Sequence, residues 1–267
     1  MTAVRHNIYT NSRMTACELL ELPGGSIAVF SCRAPYKSES MPNEDAAAFI
    51  SANTDTTVIM VADGVGGYPA GAEAASTTIT TIIKQLERTR AQEMRESILS
   101  AIEAANQELI SRGIGSATTL ALTEVNGTTV RSYHVGDSVA MMVGQRGKLK
   151  LETVSHSPVG YAVESGVISE AEGFHHEERH LVSNIIGTAN MHVTLGMPMP
   201  MSKFDTILLA TDGLFDNLPR EEIIEVVRYG NLEQSANELA ARASDRMVEE
   251  TAGGKADDLT FMLFRKT

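Results

Sequence analysis

The chain has 267 residues, 43% of them hydrophobic and 21% charged, with a formal net charge of -12. This is globular composition, with ample length to bury a core. The acidic balance argues against nucleic acid or an anionic membrane surface as the main partner, because both need a basic face.

The first twenty residues hold no apolar signal core, and no run of about 18 apolar residues suggests a membrane span. Two cysteines, Cys17 and Cys32, are too few for a disulfide framework and lack metal-knuckle spacing. A reduced, cytoplasmic setting is the expectation. Without a linker, charge block or repeat, one domain over residues 1–267 is expected. "SIAVFS" (26–31) and "TTVIMVA" (56–62) read as strands, the second apolar enough to be central. A helix is expected over about 71–89, where Ile79, Ile82, Ile83 and Leu86 form one stripe. A second is expected over about 91–112, with Ile98, Ile102, Ala105 and Leu109 on one face and Gly113 as its stop.

The period then changes. "ATTLALTEV" and "TTVRSYHV" flank Asn126-Gly127, a strong hairpin signal. "VAMMV" and "KLKLETV" follow around a turn at Gly144–Gly147, so the four strands read as an antiparallel meander and not as a parallel Rossmann-like sheet. Residues 155–190 are polar and His-rich, a flap-like insertion of loop and short helix near a site. "FDTILLAT" (204–211) is another buried strand. Pro219 suits position N1 of a helix reaching Gly230. A last helix over about 232–250 puts Leu232, Ala236, Leu239, Ala243 and Met247 on one stripe, and "LTFMLF" (259–264) closes the chain as a strand.

The acids fall at strand ends. Asp63 follows "VIMVA", Asp137 follows "RSYHVG", Asp212 follows "TILLAT", Asp257 stands just before "LTFMLF", and Glu44-Asp45 precede "AAAFI". Taken singly, an Asp-Gly after a strand reads as a turn. Five such sites in one chain read as a cluster, and crowded acids repel unless protonated or neutralised by cations. Oxygen ligands without cysteine suit Mg²⁺ or Mn²⁺ better than Zn²⁺. Two such ions about 3.5–4 Å apart can ionise water and hold a phosphoryl group for in-line attack. Gly64 could offer its carbonyl to a metal beside Asp63. Gly66 and Gly67 would let the chain approach the ions without a Cβ in the way.

"NEDAAAF", "VADGVGGYPAGAEAAS", "SATTLAL", "YHVGDSVA", "ATDGLFDNL" and "ADDLTFML" resemble, in order and rough spacing, the motifs of the metal-dependent serine/threonine protein phosphatases of the PPM (type 2C) family, in a bacterial-like single-domain form. The resemblance covers about residues 26–264. It implies an α+β fold, a four-layer α-β-β-α sandwich of two antiparallel sheets packed face to face with helices outside. It implies hydrolysis of phosphoserine and phosphothreonine in proteins by a metal-bridging water, without a covalent intermediate. Carried over by position, Asp63 bridges two Mn²⁺ or Mg²⁺ ions, Gly64 gives its carbonyl to one, and Asp212 and Asp257 bind the second. Asp63 and Asp212 position the attacking water. Glu44 and Asp45 hold metal-bound waters, and Asp137 matches an acid associated with a third, looser ion.

Four positions depart from the family pattern. Ser40 stands where an arginine usually holds the substrate phosphate, which leaves Lys37 and Arg33 as candidate phosphate-binding cations. Val65 replaces a histidine thought to protonate the leaving group, so a water or a flap histidine, His175 or His176, would serve. Val139 replaces an arginine, and Asp258 replaces an asparagine, adding charge or metal affinity. His134 reads as packed and hydrogen-bonded, His156 as structural, and His175, His176 and His180 as a solvated flap face. The alternative reading is a catalytically weak, phosphatase-like module that binds phosphoproteins or a regulator. A haloacid-dehalogenase-type enzyme would need Asp-x-Asp after a first strand, and neither "VIMVA" nor "TILLAT" is followed by one.

Overall fold

A computed structural model of the chain describes residues 5–53, 55–65, 70–248 and 254–266. In chain order the elements begin with β1 (Arg5–Thr10), β2 (Glu18–Leu22), β3 (Gly25–Cys32), β4 (Asp45–Ser51) and β5 (Thr56–Asp63). Then come α1 (Gly71–Leu86), α2 (Met94–Arg112), β6 (Leu120–Asn126), β7 (Thr129–Val135), β8 (Val139–Val143) and β9 (Leu149–Glu152). The flap carries α3 (Pro158–Glu164) and α4 (Glu170–Phe174), followed by the short strands β10 (Thr194–Leu195) and β11 (Met199–Pro200). The chain ends with β12 (Thr206–Ala210), α5 (Asp212–Phe215), α6 (Arg220–Val227), α7 (Leu232–Val248) and β13 (Leu259–Arg265).

The strands form two antiparallel sheets. One runs β1-β4-β5-β6-β7-β10 with β11 also on β7, and the other runs β2-β3-β13-β12-β8-β9. Uninterrupted apolar runs mark strands covered on both faces, and the packing shows how. Phe49, Ile59 and Val61 of the first sheet meet Val29, Leu209 and Met262 of the second between the layers. The alternate residues, Ile50, Val58 and Met60, face α1 and α2. On the far side Leu208, Phe261 and Leu263 face α7 through Ala236, Leu239 and Ala243. The expected four-layer α-β-β-α sandwich is therefore the fold, and the two helical stripes lie buried as read.

Three local expectations are corrected. The four strands after α2 are not one meander. The β6–β7 hairpin joins the first sheet and the β8–β9 hairpin the second, so the chain changes layer between Val135 and Val139. Alternation reports that a face is buried and is silent on which sheet buries it. The hairpin turn is also shifted by one. Asn126 pairs with Thr129, leaving Gly127-Thr128 as the loop, with positive φ at Gly127 alone, the type II′ pattern. Pro219 is the residue preceding α6 and not its first helical residue, and α6 stops at Val227. The last two residues of the helix expected to reach 250 lie outside the described residues. Missed altogether were β1 and β2, whose largely exposed edge residues carry little apolar signal.

Candidate metal centre

Antiparallel pairing brings the strand-end acids to one end of both sheets. Asp63, the last residue of β5, pairs directly with Asp45, the first of β4. In the second sheet Ala210 pairs with both Val139 and Phe261. The residues just after β12, just before β8 and just before β13 therefore lie together. These are Asp212, Asp137 and Asp257.

Their mutual repulsion is plain in their protonation. The Asp63 carboxyl is pushed well above the usual carboxylate range by burial and then by the charges of Asp212, Asp45, Asp137 and Asp257. Burial does the same to Asp45, reinforced by Asp258 and Asp212. Asp257 is raised by burial and by Asp212. Asp137 is pushed up to about 7 by burial and by Asp212, and its Oδ1 is buried with no hydrogen-bond partner. Lys255 sits among these acids, and Arg179 Nε reaches Asp216 from the flap at 3.3 Å. Lys255 Nζ lies 2.8 Å from Asp212, 2.9 Å from Asp257 and 3.1 Å from Asp216. Burial alone would lower its pKa, but the charges of Asp212, Asp216 and Asp257 override that and raise it.

This donor set fits hard divalent cations: carboxylate oxygens from four strand ends, an orphaned buried carboxylate oxygen on Asp137, and an ammonium already standing where positive charge is needed. As they stand, no three His, Cys, Asp or Glu side chains among the described residues are placed to hold a metal ion between them. Lys255 separates Asp212, Asp216 and Asp257.

The backbone that holds the acids is rigid. Asp63 donates its N–H to Thr119 Oγ1 (3.1 Å), and its carbonyl accepts from Thr119 N (2.8 Å) and Thr118 Oγ1 (2.7 Å). Thr119 Oγ1 in turn meets Ser138 Oγ at 2.6 Å, tying the Asp63 strand to the Asp137 loop. His156 fixes that loop from below. Its Nδ1 accepts from Gly136 N–H (3.1 Å), while Nε2 lies 2.9 Å from Thr194 Oγ1. Burial, then neighbouring His134 and His192, lowers the His156 pKa to about 4, so the ring is neutral and keeps its acceptor. His134 is packed and bonded to the Val154 carbonyl at 2.8 Å. Both histidines are structural, as read.

Gly64 is set by close approach. A Cβ there would lie 2.3 Å from the Gly71 carbonyl carbon, so only glycine lets the start of α1 pack onto the end of β5. Gly66 and Gly67, expected to let the chain approach the ions without a Cβ in the way, lie outside the described residues. Glu44 lies beside Gly71 and accepts from Lys37 Nζ at 2.8 Å.

Two expectations around the 34–44 loop change. Lys37 is only 7% exposed and is held by Glu44 and by Asp258 Oδ2 at 2.6 Å. It is an internal ion pair, its ammonium directed at Glu44 and Asp258. Arg33 spends its Nη1 on the Ser38 carbonyl (2.6 Å), and Ser40 is an exposed hydroxyl bonded to Ser38. Asp258 is 3% exposed, and its carboxylate accepts from Ala34 N (2.7 Å), Glu44 N (2.6 Å) and Lys37. Its extra charge is directed at this loop and fixes Glu44.

A cleft of about 810 Å³ opens beside the acids, lined by Asp137 and Asp212 and by Val163, Phe174, His175 and Arg179 of the flap. His175 lines it, whereas His176 Nδ1 accepts from Glu178 N–H. Asp216, Asn217 and Lys255 were the residues missed. Asp216 and Asn217 sat unassigned inside "ATDGLFDNL", and Lys255 sat in no motif.

Asp137 makes a pH prediction. Because its folded pKa lies above its ordinary value, the folded metal-free protein binds the extra proton, and this contribution to stability is lost as pH rises from about 4 to about 7. Asp137→Asn will therefore stabilise the metal-free protein at pH 8, and the gain will shrink as pH falls toward 4. Thermal melts in chelator at a series of pH values measure it. A gain that is constant with pH excludes the buried-charge explanation.

Comparison with known proteins agrees with the geometry. The sequence profile of protein phosphatase 2C matches residues 36–250. The serine/threonine phosphatase Stp of Listeria monocytogenes is 24% identical over 234 residues, covering 84% of this chain and 90% of that protein. The crystal structure of serine/threonine phosphatase Stp1 from Staphylococcus aureus superposes with a TM-score of 0.79 at 24% identity, covering 97% of this chain and all of that one. The catalytic domain of the serine/threonine protein phosphatase PstP, solved with two manganese ions, superposes with a TM-score of 0.72 at 24% identity, over 90% of this chain and 96% of that one.

Proposed function

The chain belongs to the protein phosphatase 2C family and is a serine/threonine protein phosphatase that works with divalent cations, and from that premise we propose that the acid cluster around Asp63 is its reaction centre. The observation that carries the proposal is the gathering of Asp63, Asp45, Asp212, Asp137 and Asp257 at one end of two sheets, where the other four charges act on Asp63 and an ammonium bridges Asp212 and Asp257.

In this reading Asp63 and the Gly64 carbonyl, with Asp212 and Asp257, hold two ions, either Mn²⁺ or Mg²⁺. Glu44 and Asp45 take water ligands, and Asp137 is available to a third ion. When bound, such cations supply a water ionised near neutral pH and positive charge against the phosphoryl oxygens. The chain's part is placement. Thr118 and Thr119 lock the Asp63 backbone, Thr211 Oγ1 orients Asp45 at 2.9 Å, and Asp258 holds Glu44. We assign the proton for the departing serine or threonine oxygen to His175, because it is the flap histidine that lines the cleft beside Asp137 and Asp212. The substrate is a phosphorylated protein, and the cleft under the flap admits its modified side chain. The core shared between the sheets supports one catalytic unit, with 155–190 as its insertion. The phosphoproteins it acts on in this reading are cytoplasmic; among the described residues no helix is long and apolar enough to cross a membrane.

Phosphate release from a phosphothreonine peptide tests this. Activity is expected with Mn²⁺ or Mg²⁺ and is expected to vanish in excess chelator. Full activity in chelator, or none with either ion, refutes it.

A further inference from the structure

Lys255 is held at the acid cluster by more than its own ion pairs. The Asn217 side chain accepts the Lys255 N–H at Oδ1 (3.0 Å) and donates from Nδ2 to its carbonyl (2.8 Å). Asn217 is itself buried, and Arg246 Nη1 donates to its carbonyl at 3.1 Å. The backbone is thus clamped beside the carboxylates. The Lys255 side chain remains 34% exposed, which leaves its ammonium a route to solvent.

The oxygens of Asp257 show what this arrangement does. Oδ1 accepts from Asp258 N–H at 2.9 Å, and Oδ2 carries the ammonium at 2.9 Å. Asp212 Oδ2 carries it as well, at 2.8 Å. Both oxygens of Asp257 carry a donor, and the ammonium bridges Asp257 Oδ2 and Asp212 Oδ2, the place a divalent cation held by both carboxylates would take. The Asp258 amide belongs to the backbone that leads into β13, where Ala34 and Glu44 also grip its side chain. The ammonium ends a flexible four-carbon stem. It is the group that yields.

We propose that Lys255 is a built-in occupant of the metal centre, a single positive charge that must leave Asp212 and Asp257 before a divalent cation binds there, and that thereby sets the cation concentration at which the site fills. The inference rests on the reading of Asp212 and Asp257 as metal-holding residues. A doubly charged ion among these acids is more strongly attracted than an ammonium, so exchange proceeds, but the separation of three short ion pairs is subtracted from its affinity. In the metal-free state the same ammonium restrains the carboxylates from driving the cluster apart.

Calorimetric titration of the full-length protein with Mn²⁺ tests the proposal. Lys255→Met is expected to bind Mn²⁺ at least about tenfold more tightly than the unaltered protein, and Lys255→Arg, which keeps the charge, no more tightly than it. Equal or weaker binding by Lys255→Met overturns the inference. Uptake of no Mn²⁺ by the unaltered protein overturns the metal-centre reading along with it, so the two failures are distinct. A second measurement needs no substitution. Amine acylation followed by peptide mass spectrometry compares Lys255 with the exposed Lys203 in the unaltered chain. Lys255 is expected to label several-fold faster after Mg²⁺ is added, because its ammonium has left the carboxylates. An unchanged or slower rate overturns the inference.

Discussion

Asp63→Asn will lower turnover of a phosphothreonine peptide by at least about 10²-fold, while the metal-free protein becomes more stable. The two effects have opposite signs for one reason. Asparagine keeps the shape of the side chain and every backbone bond that Thr118 and Thr119 make to this residue. What disappears is one negative charge, the one that Asp212, Asp45, Asp137 and Asp257 all oppose. Without cations that charge is a burden, since it raises its neighbours' protonation and its own. With cations bound, the same charge attracts them at the position where four other acids also act. Turnover at saturating Mn²⁺ and melting curves in chelator measure the two effects. Unaltered turnover removes Asp63 from the reaction centre. Lost turnover accompanied by a lower metal-free melting temperature assigns the effect to folding.

Gly213→Ala will be the most damaging single methyl at the site. A Cβ at this position would stand 1.9 Å from the Asp258 carbonyl oxygen and 3.0 Å from its carbon. Both sides of that contact are backbone, the first turn of α5 and the entry to β13. Neither side yields cheaply. Thr211 N–H donates to the Thr260 carbonyl at 3.0 Å, and Thr260 N–H donates to Thr211 Oγ1 at 3.2 Å. Ordinary contact begins near 3.4 Å, so the gap must open by about 1.5 Å. That moves Asp212 away from Asp257, the two acids that Lys255 now bridges. Overpacking of this kind costs about 1–3 kcal/mol of stability. A displacement of about 1 Å at a reaction centre can cost about 10²-fold in rate. Urea unfolding and Mn²⁺ calorimetry are the measurements. A variant with unaltered stability and Mn²⁺ affinity would show that the close approach of α5 to β13 is not needed.

Much of the fold and much of the acid set were legible in the chain. The runs "VIMVA", "TILLA" and "FMLF" announce strands covered on both faces, and they are β5, β12 and β13. The stripes Ile79–Ile82–Ile83–Leu86 and Leu232–Ala236–Leu239–Ala243 announce helices that cover those strands, and they do. Each acid stands next to such a run, so its position at a strand end follows from the run itself. Spacing could not say that Lys37 pairs with Asp258, because 221 residues separate them. The unassigned Asp216 and Asn217 became meaningful only when the loop holding Lys255 was seen to close on them.

What the sequence by itself determined is therefore the local part: which segments are buried on one face or two, and that a carboxylate ends each of several buried strands. Period and side-chain chemistry are properties of neighbours along the chain, and they need no partner to be read. Only the tertiary structure decided which acids face one another, since that depends on antiparallel registers such as Asp45 with Asp63 and Ala210 with Phe261. It alone decided the fate of the cations. A lysine goes where the summed field of distant carboxylates is strongest and its stem can reach. That drew Lys37 inward to Asp258 and set Lys255 among Asp212, Asp216 and Asp257.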